Sequence, residues 1–378
     1  MAPLILSCLL VLLSSTSIHA QQNITLGSSL TPEGPSSYWL SPSGDFAFGF
    51  RTIEGNTSSY LLAVWFSKIS NRTVAWYAKT SGTEPAPIKV SSGSRLQLTS
   101  GGTLSLLDPT NTEAAYARML DTGNFVLIAA NGSTKWGTFN NPADTILLTQ
   151  VLTPGMTLRS RIIATDYSNG RFLLNMQTNG VFLYPVAVPS GFQYDYYWSI
   201  VGNTTKLVFD LMGRIYIILD NGTQINMTQG SIGSMVDYYH RGTLDPDGVF
   251  RQYAYPKKAS NQWSQGWAVV AMEPQNICSA MTKVGSGTCG FNSYCMLDSS
   301  QTTCMCPSQY SFIDEERKYK GCKPDFQPQS CDLDQEEATK QFQLITMYHV
   351  NWPLADYEQC VPPHNREPVP AALSTAPI

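Results

Sequence analysis

Eight of the chain's nine cysteines fall between Cys278 and Cys360, and the first six follow C-x10-C-x5-C-x8-C-x-C-x15-C through Cys289, Cys295, Cys304, Cys306 and Cys322. Thiols at such density either oxidise in pairs or ligate zinc, and Cys304-x-Cys306 is the one close pair that a metal would use. A segment of about 45 residues buries too little apolar surface to fold on its core alone, and small extracellular modules make up the deficit with disulfides. Bridges are therefore the expected chemistry. Closing a loop of ~15 residues stabilises by roughly 3 kcal/mol. Six cysteines admit fifteen pairings, and spacing alone does not select one. Calcium is not expected either, since Gln275-Asn276-Ile277 ahead of Cys278 supplies no carboxylate for a hard cation.

Catalytic chemistry has little to stand on. Gly285-Ser-Gly-Thr-Cys-Gly290 matches G-x-G-x-x-G, but it follows no strand, opens no helix and sits between two cysteines, so no nucleotide is expected there. His19, His240, His349 and His364 have no nucleophile motif beside them, and neither G-x-S-x-G, H-E-x-x-H nor a kinase signature occurs. Asp314-Glu315-Glu316 followed by Arg317-Lys318 reads as a solvated turn. No catalytic residue, metal or cofactor is expected. Net charge is −4 with no basic concentration, which argues against nucleic acid as a partner.

Residues 1–20 carry an apolar stretch, Leu4 to Leu13, and a small residue at Ala20, the pattern of a secretory signal. Seven N-x-[ST] sequons follow at Asn23, Asn56, Asn71, Asn131, Asn203, Asn221 and Asn226, all before the cysteine cluster. No run of 18 apolar residues occurs after the signal, so no transmembrane segment is expected in this chain. A secreted, glycosylated product is the expectation.

Residues 22 to about 255 read as all-β: short aromatic and aliphatic runs are broken by Gly, Asn, Asp and Ser. Candidate strands are Tyr60 to Phe66, Thr73 to Ala78, Phe125 to Ala129, Arg171 to Met176 and Arg214 to Leu219. A pattern recurs from Leu40, Leu98, Leu120, Met176 and Leu244: strand end, turn with glycine, alternating strand. The turn needs positive φ, which Gly and Asn adopt cheaply, and the residues after it alternate between faces. Tyr194-Asp-Tyr-Tyr-Trp198 offers rings for stacking on a sugar or a protein, or for ordinary strand packing with every second ring buried.

The segments Tyr38-Trp-Leu-Ser-Pro-Ser-Gly-Asp-Phe-Ala-Phe-Gly-Phe, Ala63-Val-Trp-Phe, Thr73-Val-Ala-Trp-Tyr-Ala, Leu120-Asp-Thr-Gly-Asn-Phe-Val-Leu and Trp136-Gly-Thr-Phe-Asn-Asn-Pro-Ala-Asp-Thr-Ile-Leu occur in the order seen in bulb-type lectin domains. With His240-Arg-Gly-Thr-Leu-Asp-Pro-Asp-Gly-Val-Phe-Arg-Gln-Tyr and Cys289-Gly-Phe-Asn-Ser-Tyr-Cys, residues 22 to about 359 resemble the ectodomain of plant G-type lectin S-receptor-like kinases. The resemblance implies an all-β chain of two tandem bulb-lectin β-prism domains, then a disulfide-rich EGF-like module and an incomplete PAN/apple segment. The expected boundaries are a signal peptide at 1–20, a bulb-type lectin domain at 21–150, a second, S-locus-glycoprotein-like domain at 151–272, the EGF-like module at 273–323, the partial PAN segment at 324–359 and a proline-rich tail at 360–378.

It further implies the pairs Cys278–Cys295, Cys289–Cys304 and Cys306–Cys322, with Cys331 and Cys360 left to bridge each other or to leave a thiol free. Bulb lectins grip mannose with a Q-x-D-x-N-x-V-x-Y strand, whose polar side chains share a face at alternate positions. Mapped here, that strand places Leu120, Thr122, Asn124, Val126 and Ile128 at those positions, so only Asn124 and Val126 match and Thr122 is a partial stand-in. The repeats at Ser41, Ser43, Asp45, Ala47, Gly49 and at Thr99, Gly101, Thr103, Ser105, Leu107 retain less. The expected function is that of a recognition ectodomain for a glycan or a protein or peptide ligand, in defence-type or self-recognition signalling, with a full-length receptor kinase or a second copy as partner. Full-length relatives are single-pass plasma-membrane kinases, so a soluble decoy or a non-functional truncated product is the alternative.

Overall fold

The computed structural model describes residues 23–326 except 34–36, 54–55, 83–84, 107–114, 229–235, 259–265, 282–286 and 299. The signal peptide, Cys331, Cys360, the tail and all but the first residues of the PAN segment lie outside the described residues. Among those described, the chain is almost entirely β, and it divides into one compact unit through Pro274 and a second from Gln275.

The first unit holds six antiparallel sheets, three from each half. In the N-terminal half, β2 (Tyr38–Leu40), β3 (Phe46–Ile53), β4 (Asn56–Phe66) and β5 (Val74–Tyr77) pair in sequence, with β6 (Lys89–Val90) also on β4. A second sheet runs β1-β7-β8, from Ser29–Leu30, Leu96–Leu98 and Leu104–Ser105, and a third joins β9 (Tyr116–Met119), β10 (Phe125–Ile128) and β11 (Thr134–Gly137). The C-terminal half repeats the count with four-stranded sheets. These are β14 (Thr157–Arg161), β15 (Asn169–Gln177), β16 (Gly180–Pro185) and β17 (Trp198–Val201), then β13 (Val151–Leu152), β18 (Thr204–Phe209), β19 (Ile215–Leu219) and β20 (Gln224–Asn226), then β12 (Thr145–Leu147), β21 (Tyr238–Leu244), β22 (Phe250–Pro256) and β23 (Ala268–Glu273). All five strands expected from sequence are present, overlapping β4, β5, β10, β15 and β19, with Thr73, Ala78, Ala129 and Arg214 just outside the strand limits. Strand β12 precedes the boundary expected at 150, yet Thr145 is in register with Thr243 of β21.

Period-two patterning explains why these residues form sheets. Along β15 burial alternates strictly: Phe172, Leu174 and Met176 are fully buried, while Arg171, Leu173 and Asn175 are half-buried. Each buried large apolar side chain contributes roughly 1.5–3 kcal/mol. In the N-terminal half Phe48 stacks on Phe125, with ring centroids 3.6 Å apart, so the sheets of β3 and β10 share one core.

The recurring turn has one geometry. After Ser41, Thr99, Leu120 and Asp245, the amide of Gly44, Gly102, Gly123 or Gly248 donates to that residue's carbonyl, and each glycine has φ between +73° and +95°. Glycine, without a Cβ, enters this region at the least steric cost. The same turn forms at Ala129–Ser133, Asp210–Arg214 and Leu219–Thr223, which the sequence pattern did not single out. The Met176 repeat differs: Gln177 pairs directly with Gly180, leaving Thr178 and Asn179 as the corner of a tighter hairpin.

The halves of the first unit are joined by polar contacts as well as rings. The Asp45 carboxylate accepts from Lys257 at 2.8 Å and Tyr239 at 3.0 Å, both in the C-terminal half, and from Lys68 at 2.8 Å. Trp267 donates to Thr73 at 2.8 Å and packs edge-on against Phe66. Burial pushes the Asp45 pKa up, but hydrogen bonds from Lys257 and Lys68 outweigh it and hold the carboxyl below its usual range. A depressed folded pKa gives stability that is complete above the unfolded value and is lost as pH falls through the folded one. Urea unfolding should therefore show the joint weakening below about pH 4, and Asp45→Asn should remove that component of the acid dependence.

Among the described residues the second unit has one α-helical turn, α1 (Ile277–Ala280), capped by the Asn276 side chain on the Ser279 amide, and a 3-10 turn at Lys318–Lys320. Two hairpins follow, β24 (Tyr294–Asp298) with β25 (Gln301–Met305) and β26 (Tyr310–Phe312) with β27 (Cys322–Pro324). Cys278–Cys295, Cys289–Cys304 and Cys306–Cys322 are bonded, the three pairs that the family resemblance implies. Few apolar side chains are buried here, chiefly Ile277 and Met281, so the bridges carry much of the cohesion.

Candidate ligand-binding surface

The strand that would grip a sugar is β10 with the turn before it, and its polar groups are spent inside the fold. Asn124 Oδ1 accepts from Thr138 Oγ1 and from the Phe139 amide, both at 3.1 Å, which fixes the short 3-10 turn after β11. Thr122 Oγ1 accepts the Asn124 amide at 3.4 Å, and Val126 is buried. Ile128 and the half-buried Leu120 occupy the remaining positions and have no hydroxyl-binding group.

The other two repeats are likewise engaged. Ser43 donates its amide and its hydroxyl to Asp121 Oδ1, at 2.8 and 2.6 Å, and Asp45 is held by two lysines and Tyr239. Thr99 Oγ1 accepts the Thr103 amide at 3.1 Å. Ser43, Asp45, Thr99, Thr122 and Asn124 thus act as turn and joint locks, and Leu107, the last position of the Thr99 repeat, lies outside the described residues. Hydroxyl groups of a sugar would have to displace bonds worth about 0.5–1.5 kcal/mol each.

The Tyr-rich segment does not follow the every-second-ring packing that a strand would give. Its last two rings are tied down: Tyr197 donates to the Gly248 carbonyl at 2.5 Å, and Trp198 donates to Glu273 at 3.0 Å. Burial, with the nearby Asp247 carboxylate, pushes the Tyr197 pKa well above its usual value. Ahead of β17, in contrast, Phe192, Tyr194 and Tyr196 are 62, 40 and 51 % exposed. Phe192 was not singled out in the sequence, because it lies outside the Tyr-Asp-Tyr-Tyr-Trp run. The segment is pinned through its backbone: Ala187 donates to Phe192, Tyr194 to Pro185, and Val186 bridges Gln193.

Sequons occupy other parts of the first unit. Asn131 and Asn221 sit at exposed tips of the glycine turns, where their side-chain oxygens accept the amides of Ser133 and Thr223. Asn203, Asn221 and Asn226 all fall on the β18–β20 sheet or its turns, and the Asn203 amide donates to Asp220 at 3.1 Å. Asn23 and Asn71 are exposed, and Asn56 begins β4. No group of three or more metal-ligating side chains and no membrane-length apolar helix occurs among the described residues.

No family model matches the chain. Among curated proteins it is 63 % identical over 371 residues to the rice (Oryza sativa) G-type lectin S-receptor-like serine/threonine-protein kinase LECRK4, covering 94 % of this chain and 46 % of that protein. It is 56 % identical over 383 residues to rice LECRK1, covering 96 % and 47 %, and 31 % identical over 366 residues to RLK1 of Arabidopsis thaliana, covering 89 % and 43 %. The chain thus spans about half the length of the curated relatives it matches. Among solved structures, a Marasmius oreades lectin covers 35 % of this chain at TM-score 0.25 and 17 % identity, and the two-domain fetuin-binding agglutinin of Scilla campanulata covers 64 % at TM-score 0.25 and 16 % identity. With its segment order, its paired sets of three sheets and its near-complete alignment to these receptors, the chain belongs to the plant G-type lectin S-receptor-like kinase family and corresponds to part of the ectodomain.

Proposed function

We propose that the chain is an extracellular, glycosylated recognition ectodomain, of the kind that lets a receptor kinase detect a glycan or protein ligand in defence-type or self-recognition signalling, and that it makes this contact outside the bulb-lectin strands. It catalyses nothing itself. The observation that carries the reading is the engagement of Asn124 by Thr138 and Phe139, with Thr122, Ser43, Asp45 and Thr99 similarly committed. A strand whose gripping oxygens already accept bonds within the fold must give those bonds up to orient a monosaccharide. The family relationship supports a receptor role; we place the boundary between the two lectin-like domains near 150, with β12 reaching across it to pair with β21, the second boundary at 272, and read 273–323 as the EGF-like module.

The test is a titration of free mannose and a plant glycan array against the chain secreted from a eukaryotic host. No saturable mannose binding is expected, and Asn124→Ala is expected to leave array binding unchanged while lowering the melting temperature, through loss of its two accepted hydrogen bonds. Mannose binding that disappears in Asn124→Ala would overturn the placement of the ligand site.

A further inference from the structure

Asn23, Ile24, Thr25 and Ser28 form one wall of a groove of about 500 Å³, and strand β2 forms the other. That volume lies within the roughly 300–1,000 Å³ of sites that take small organic groups. The two walls differ in chemistry. Asn23, Thr25 and Ser28 supply an amide and two hydroxyls, whereas on β2 the side chains of Tyr38 and Leu40 are 37 and 45 % exposed, with Trp39 half-buried between them. Both walls are held from behind. Ile24 exchanges backbone bonds with Ala117 of β9 at 2.9 and 3.0 Å, and Gly27 and Ser28 bond to Leu98 of β7. Tyr38 packs edge-on against the buried Trp65, and Trp39 lies parallel to Phe48 and Phe125. Strand β2 also ends its sheet, and such an edge can recruit a foreign strand unless something covers it.

We infer that this groove is the seat of the chain's own N-linked glycan at Asn23, whose two core N-acetylglucosamine residues lie against β2 and cover the open edge of the first sheet; this goes beyond the recognition role above and rests on its glycosylated state. The occupant is selected by attachment. Asn23-Ile24-Thr25 is a sequon, and all three of its residues line the groove. Arg118 Nε donates to Asn23 Oδ1 at 2.7 Å, which fixes the side-chain amide by its oxygen and leaves Nδ2, the atom that takes the sugar, outside that bond. Asn131 and Asn221, in contrast, stand at exposed turn tips. N-acetylglucosamine has apolar C–H groups and an acetamido methyl for the Tyr38 and Leu40 wall, and hydroxyls for Thr25 and Ser28. Because the tether makes the contact intramolecular, individually weak contacts suffice to keep the groove filled. The walls are already in place, so little further ordering opposes it.

The experiment uses the chain secreted from a eukaryotic host that keeps its glycans in high-mannose form. It is digested while folded with an endoglycosidase that cuts between the two core N-acetylglucosamines, and each site is followed by glycopeptide mass spectrometry. Asn23 is expected to be occupied and to be trimmed about tenfold or more slowly than Asn131 and Asn221, with the difference gone after denaturation, since cutting tracks the population in which the sugar has left the groove. Thr25→Ala removes the sequon and keeps Asn23 with its bond to Arg118; in it, hydroxyl-radical labelling of Tyr38 and Leu40 should rise about threefold or more, whereas Asn131→Gln should leave that labelling unchanged. Circular dichroism melting of each variant separates uncovering of β2 from loss of fold, and the trimming comparison on the unaltered chain needs no variant. Equal trimming at Asn23 and Asn131, unchanged labelling in folded Thr25→Ala, or an empty Asn23 in a chain glycosylated elsewhere would overturn the assignment and leave the glycosylated-ectodomain reading intact. Absence of glycan from every sequon would instead defeat that underlying reading and this inference with it.

Discussion

Replacing Arg161 by methionine is expected to destabilise the first unit by about 3–5 kcal/mol, a shift of roughly 10 °C in its melting transition. Asp144 has 1 % of its side chain exposed, and its charge is answered by Arg161 Nε at 2.5 Å. The same guanidinium donates to the Val74 carbonyl at 3.1 Å and lies over the Tyr167 ring at 4.1 Å, so it ties β14 to β5 across the two halves. Burial alone would lower the Arg161 pKa, but Asp144 with Tyr167 and Tyr77 holds it above the usual range. Removing the cation strands a buried carboxylate, which costs far more than the pair contributes. The double variant Arg161→Met with Asp144→Leu is expected to recover most of the loss. Differential scanning calorimetry of the four members of the cycle measures this, and a single variant as stable as wild type would refute it.

The second large effect is expected in the small unit. Cys306→Ser with Cys322→Ser opens a loop of sequence separation 16 and is expected to cost about 2–5 kcal/mol there. Its two strands β26 and β27 share only three paired residues, too few to hold without the bridge. Limited proteolysis should cut between Pro307 and Lys320 in the variant and leave that stretch intact in the oxidised wild type. Equal resistance of the two would show that the hairpin is stable without its bridge.

Much of the fold was legible because it is local. Positive φ at Gly44, Gly102, Gly123 and Gly248 follows from a small or polar residue and then glycine after a strand end, and the strands around β4, β10, β15 and β19 follow from short aromatic and aliphatic runs broken by turn residues, with alternating burial along β15. The locking of Asn124 was not legible, since Thr138 is 14 residues away and nothing in the periodicity of β10 points to it. Nor was the joint at Asp45, whose partners Tyr239 and Lys257 lie 194 and 212 residues away. The aromatic segment was misread in part because it was treated as one strand. Strand β17 begins only at Trp198, so the rings ahead of it obey the path of a loop, and the exposed set is Phe192, Tyr194 and Tyr196.

The pairing of β12 with β21 has a consequence for synthesis. Most strands here meet a neighbour close in sequence and form as soon as both have emerged, but Thr145 must wait for Thr243. Until about a hundred further residues have left the ribosome, β12 is an unpaired edge able to recruit a foreign strand. The Asp45 carboxylate waits longer still, for Lys257. The N-terminal half therefore cannot be finished by itself: its last contacts arrive with the end of its neighbour. A nascent chain halted after the first three sheets is accordingly the species most in need of chaperone protection.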